Sequence, residues 1–201
     1  MISRERISPR VLCIAGSPRR YGNSERLLDS LIAGVESAGG VAVKLVARDS
    51  GVSVCLGCNA CSKTGACIQR DPMVDVYAAL DSADAIAVAT PVFFATVPAT
   101  LKTLLDRCQP YWVRRYLLGE PRPAHKRPGA VLVVGGGGDP FGTACAISPV
   151  KSVFAVLSVN AEHVLEVVGP DKPGDIISEP DALLRAEKIG RELVESSWRD
   201  R

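Results

Sequence analysis

Apolar runs of strand length alternate with helical patterns along most of the chain. V-L-C-I-A at 11–15 is followed by G-S-P-R-R-Y-G-N-S and then by Leu27, Leu28, Leu31, Ile32 and Val35, spaced three and four apart as on one helix face. Ala38-Gly39-Gly40 ends that helix, and V-A-V-K-L-V at 41–46 predicts a second strand. After Asp71-Pro72, Met73, Val76, Tyr77 and Leu80 predict a short amphipathic helix. A-I-A-V-A at 85–89 predicts a buried third strand, and Leu101, Leu104 and Leu105 continue as a helix to Arg107. Residues 108–128 read as a long connection carrying Tyr111, Trp112 and many basic residues, of the kind that covers a site or a partner surface. A fourth strand at 130–134 runs into the glycines of 135–138. A helix from about 147 to 159, a fifth strand at 162–168 and a polar-faced helix from 181 to 198 complete the pattern.

Five strands alternating with helices predict an α/β fold of three layers around a parallel sheet with right-handed crossovers. In the strand order 2-1-3-4-5, ligands bind beyond the carboxyl ends of strands one and three, where the order reverses. The loops after strands one, three and four meet at that edge. We read residues 1–201 as a single domain with a cysteine-rich insertion at about 51–71, since no linker or repeat divides the chain.

The first of these loops holds Ser17, Arg19, Arg20, Gly22, Asn23 and Ser24, and the helix that follows presents free N–H groups and a positive dipole end. Hydroxyl, amide and guanidinium donors in one short stretch make a phosphate cradle. The second, 90–99, is apolar and carries Pro91, Val92, Phe93 and Phe94, suited to lie against a flat ring system. The third brings Gly135, Gly136 and Gly137, which let backbone approach a ligand, and Asp139 as an acceptor.

Composition narrows the partners. Hydrophobic residues make up 47% of the chain and charged residues 23%, so disorder is not expected, and a net charge of +2 exerts little pull on nucleic acid or membrane. No apolar run of signal-peptide or membrane-spanning character stands out, which leads us to expect a cytoplasmic protein. In a reducing compartment, seven cysteines point to metal or redox chemistry before disulfides. Cys55, Cys58, Cys61 and Cys67 have spacings x2, x2 and x5, which suit a [4Fe-4S] cube; zinc, redox-active thiols and a vestigial motif are the alternatives. Cys13, Cys108 and Cys145 stand where small apolar residues would fit, His125 and His163 read as structural or solvent-facing, and Arg114, Arg115, Arg122, Lys126 and Arg127 as a solvated basic face. The G-x-G-x-x-G, G-x4-G-K-[ST] and G-x-S-x-G patterns are absent, which removes support for a dinucleotide fold, a P-loop NTPase and an α/β-hydrolase.

With G-S-P-R-R-Y-G-N-S, C-L-G-C-N-A-C-S-K-T-G-A-C and A-T-P-V-F-F-A-T-V-P-A-T-L-K-T-L-L-D-R in view, the chain resembles the flavodoxin-like NAD(P)H-dependent FMN reductases, and among them the iron-sulfur flavoproteins. The resemblance covers residues 11–107. It implies that Ser17, Arg19, Asn23 and Ser24 hold the FMN phosphate, that Pro91, Val92, Phe93 and Phe94 line the isoalloxazine with the glycine run on its other side, and that the four cysteines are cluster ligands. The family commonly has Tyr where Phe93 stands, and often two acidic residues where this chain has Asp71-Pro72. The implied enzyme passes hydride from NAD(P)H to FMN, and electrons onward to a quinone, a small oxidant or the cluster, as a homodimer or homotetramer. The alternative is a non-catalytic flavodoxin-type electron carrier; the mildly basic charge favours the enzyme, because carriers of that type tend to be acidic for docking.

Overall fold

The computed structural model describes residues 8–199. Five parallel strands, β1 (Arg10–Ala15), β2 (Val41–Val46), β3 (Ala85–Pro91), β4 (Arg127–Gly135) and β5 (Val159–Val168), form one sheet in the order β2-β1-β3-β4-β5. The expected fold and strand order are those observed.

Because side chains alternate across a strand, each central strand feeds two cores. On one face Leu12, Ile14, Ile86, Val88, Val131 and Val133 pack against α3 (Met73–Ser82), α4 (Ala99–Asp106) and α6 (Ala144–Val156). On the other, Val11, Cys13, Ala85, Ala87, Ala89, Leu132 and Val134 pack against α1 (Asn23–Ser37) and α7 (Pro180–Arg199). β2 and β5 are the edges, which explains why Lys44, Glu162 and Glu166 are tolerated within them.

α1 and α7 cross with their backbones almost touching. A Cβ placed on Gly34 would lie 1.9 Å from the Glu187 carbonyl oxygen, and one on Gly190 would lie 2.0 Å from that of Leu31. Two helix-interior glycines, unfavourable for an isolated helix, are thus what let this layer close over the small alanines of β3.

The stretch expected to be a long connection contains a helix, α5 (Gln109–Tyr116), with Pro110 in its first turn and Pro110, Tyr111 and Val113 buried. The basic face is corrected in part: Arg122 and Lys126 are exposed as expected, but the other three arginines are engaged. Arg127 turns inward and donates to the carbonyls of Leu80, Ala83 and Leu157 at 2.6, 2.9 and 2.8 Å. Arg114 lies over the Tyr111 ring at 4.3 Å, and Arg115 donates to Ser158 and the Val156 carbonyl. Arg127 begins β4 whereas the glycine run follows its end, so these residues belong to the edge opposite the three loops.

Burial pushes the thiols of Cys13 and Cys108 up to about 12, which fits inert packing, but Cys145 is exposed rather than inside. His163 Nδ1 lies 3.7 Å from Glu192 Oε2. Among the described residues no helix is long and apolar enough to cross a membrane.

Candidate flavin site and cysteine segment

The loops after β1, β3 and β4 meet at the carboxyl edge of the sheet. Ser17, Arg19, Gly22, Asn23, Ser24, Pro91, Val92, Phe93, Val134 and Gly136 line a narrow cavity of about 70 Å³ there. Beside it, Val92, Phe94, the glycines of 135–138, Thr143 and Val168 line a wider cleft of about 420 Å³.

At the narrow end α1 begins at Asn23, so its first N–H groups and positive dipole end belong to the cavity wall. Ser24 is 2% exposed, and its Oγ has no hydrogen-bond partner. Leaving a buried hydroxyl unsatisfied costs about 1–3 kcal/mol, so an orphan in a cavity wall is a place where a ligand acceptor gains most. The donor set fits a phosphate. Ser17 Oγ accepts from the Arg19 N–H at 3.1 Å, tightening the turn, and Arg19 Nη1 donates to the Asp171 carbonyl at 3.3 Å across the cavity mouth. Arg20 points elsewhere, to Asp49 at 3.0 Å. The Asn23 side chain is engaged too: Oδ1 accepts from the N–H groups of Gly174 and Ile176, and Nδ2 donates to the Lys172 carbonyl.

Those bonds reveal a fourth loop, after β5, which sequence reading missed. Pro170, Asp171 and Pro173 line the narrow cavity. The available signal was G-P-D-K-P-G directly after the fifth strand, at the same sheet edge.

A second omission lies beneath the first loop. Arg48 Nη1 donates to the carbonyls of Ser17 and Arg19, both at 3.3 Å, and to Glu25 Oε2 at 2.8 Å; the same carboxylate accepts from the Tyr21 N–H. Burial alone would raise the Glu25 carboxyl, but bonds from Arg48 and Lys44 outweigh it and hold the group below its usual range.

In the second loop Phe93 and Thr96 exchange two backbone hydrogen bonds of 2.9 and 3.1 Å, closing a tight turn whose central residues, Phe94 and Ala95, have φ of 46° and 57°. Left-handed backbone at two residues other than glycine is strained, and Asp139 offsets it by accepting from the Ala95 N–H at 3.0 Å. The other oxygen of Asp139 accepts from the Phe141 N–H, so this carboxylate joins the second and third loops. Phe94 stands 99% exposed at the tip.

A family model of NADPH-dependent FMN reductases matches residues 9–165. The chain belongs to that family. It is therefore a flavin oxidoreductase. Among its relatives, an iron-sulfur flavoprotein of Archaeoglobus fulgidus is 31% identical over 183 residues, 91% of this chain and 78% of the relative. An iron-sulfur flavoprotein of Methanocaldococcus jannaschii is 27% identical over 199 residues, covering 92% and 96%. In fold, the reductase is similar to the NAD(P)H:quinone oxidoreductase of Methanothermobacter marburgensis, with a TM-score of 0.67 and 23% identity over 93% of this chain and 98% of that one. It is similar also to an archaeal flavodoxin, with a TM-score of 0.55 and 14% identity over 94% and 98%.

The cysteine segment of this reductase has little regular structure apart from α2 (Cys61–Thr64). Cys55 and Cys58 are exposed, and Cys61 and Cys67 half-buried. Burial first, and to a lesser degree the neighbouring sulfurs of Cys67, Cys55 and Cys58, raise the Cys61 thiol above its usual range. Four thiols on one short segment are a donor set for an iron-sulfur cluster or zinc. Among the described residues, no three His, Cys, Asp or Glu side chains converge as a metal site requires.

What holds the segment to the fold is clearer. Gly65 ends α2 at φ 69°, and a Cβ there would lie 2.6 Å from Arg114 Cγ of α5. Gly65→Ala is expected to cost about 1–3 kcal/mol in a urea titration, because it combines left-handed strain with a steric conflict. At the base, Asp71 accepts from Arg107 at 2.7 and 2.9 Å and from the N–H groups of Ser53 and Met73. The Arg107 bonds hold its carboxyl well below the usual carboxylate range.

Proposed function

We propose that the chain binds FMN in the cleft formed by the four loops and oxidises NAD(P)H there, passing the electrons to a quinone or other small oxidant, or to an iron-sulfur cluster on Cys55, Cys58, Cys61 and Cys67. The observation that carries this reading is the buried, unpartnered Ser24 hydroxyl at the start of α1, beside Ser17 and Arg19. Ser24, Ser17, Arg19 and the first N–H groups of α1 hold the phosphate, while the amide of Asn23 fixes the 170–176 loop that closes over it. Pro91, Val92 and Phe93 form one wall for the ring system, and Gly135, Gly136 and Gly137 the other, where the lack of side chains lets the backbone approach it closely. FMN when bound supplies the exchange between two-electron donors and one- or two-electron acceptors. The wider cleft beside it, lined by glycines together with Val92, Phe94, Val168 and the polar Asp139 and Thr143, has room for a planar nicotinamide or quinone.

To hold a cluster, the exposed Cys55 and Cys58 would have to gather with Cys61 and Cys67 as its four thiolate ligands, in a cytoplasmic, reducing setting. In a homodimer or homotetramer, a second subunit covers Phe94 and the two-thirds exposed Phe141. Anaerobic stopped-flow mixing tests the enzyme reading. NADPH or NADH is expected to bleach the flavin absorbance within the turnover time of a quinone assay; if neither does while a reductase partner protein succeeds, the chain is an electron carrier.

A further inference from the structure

We propose that Arg107 is a positioning residue for the cysteine segment, holding Cys67 by an N–H···S contact and placing a permanent positive charge beside that sulfur. The inference rests on the reading of the four cysteines as cluster ligands and adds a residue outside the cysteine motif. Arg107 follows the last residue of α4 and is 1% exposed, the bulkiest fully buried side chain in the described protein. A buried guanidinium needs most of its donors used, and in this one both terminal nitrogens are engaged while Nε has no partner. Here Nη1 donates to the Ser53 carbonyl at 2.8 Å and to Asp71, and Nη2 donates to Asp71 and reaches Cys67 Sγ at 3.6 Å. Ser53 precedes Cys55, and Asp71 follows Cys67, so one guanidinium fork closes the segment at both ends. The Tyr77 hydroxyl donates to the Arg107 carbonyl at 2.6 Å and fixes its backbone against α3.

This arrangement has two chemical consequences. A closed base limits how far Cys67 can move, so three cysteines need only gather around a sulfur already placed. A hydrogen bond and a positive charge at a ligating sulfur favour the reduced, more negative state of a cluster, raising its potential. Lysine keeps the charge but lacks the planar fork that spans Ser53, Asp71 and Cys67.

The test compares the full-length protein with Arg107→Lys and Arg107→Met after anaerobic reconstitution with iron and sulfide. Loss of iron to a chelator is expected to be about tenfold faster or more in both variants, the usual scale for removing an outer-shell partner. The midpoint potential of the cluster, read by spectroelectrochemistry, falls in Arg107→Met and less in Arg107→Lys. In metal-free protein, alkylation read by mass spectrometry speeds up at Cys67 relative to Cys55. Wild-type iron retention, potential and Cys67 alkylation in Arg107→Lys would overturn the proposal, and that variant decides the question if Arg107→Met does not fold. Wild-type protein that takes up no iron refutes the cluster reading instead. The alkylation comparison then decides the role of Arg107 alone: a selective rise at Cys67 supports it, and no change rejects it.

Discussion

In the double variant Ser24→Ala, Arg19→Ala, FMN affinity is expected to fall by about two to four orders of magnitude, because charge-assisted bonds are worth about 1.5–3 kcal/mol each and every 1.4 kcal/mol is tenfold. The expectation follows from the geometry at the start of α1. Ser24 Oγ is buried without a partner, so its bond to a phosphate oxygen is not exchanged against one inside the protein. Arg19 holds only a 3.3 Å bond to a carbonyl and can turn to an anion in the same cavity. Arg20→Ala provides the contrast: its neighbour is Asp49, at the surface, and FMN affinity should be unchanged. Fluorescence titration of the flavin-free proteins measures both. Wild-type affinity in the double variant would remove the phosphate from this loop.

The largest effect on stability is expected from Asp71→Ala, about 3–5 kcal/mol in urea unfolding, since it leaves the Arg107 cation buried without its carboxylate. Asp106→Ala removes a carboxylate from an exposed pair with Lys102 and should cost less than about 1 kcal/mol. The pH dependence has a definite sign. Asp71 is depressed in the folded state, so its contribution is complete above its unfolded value of about 4 and is lost as pH falls through the lower folded value. Wild-type stability should therefore drop on acidification below about pH 4, and Asp71→Asn should flatten that limb. An unchanged acid limb in Asp71→Asn would show that other carboxylates control it.

The contrast between these two sites explains what could be read from the chain before its fold was known. Strand and helix segments and their buried faces are written in local periodicity, as in Leu27, Leu28, Leu31 and Val35 on one side of α1, and the phosphate loop in its cluster of donors. Features that depend on distant partners are not. Asp71 and Arg107 are 36 residues apart, and Glu25 and Arg48 are 23 apart; nothing in the neighbourhood of either pair marks it as buried. Gly34 and Gly190 look like weak points of two helices until the helices are seen to cross there. Helix α5 was hidden because eight residues with Pro110, Arg114 and Arg115 carry too short an apolar stripe to register as periodic. The 170–176 loop contributes mainly backbone and prolines, and only its position after β5 connects it to the cleft. Asn23 belongs to the expected loop, but its amide serves that fourth loop, a role visible only once the two are adjacent.

The phosphate cradle is tested most directly by titrating flavin-free protein with FMN and with riboflavin, which share the ring system and differ in the phosphate. FMN should bind at least about a hundredfold tighter, the value of two or so charge-assisted bonds at Ser24, Arg19 and the start of α1. Equal affinities for the two flavins would contradict it.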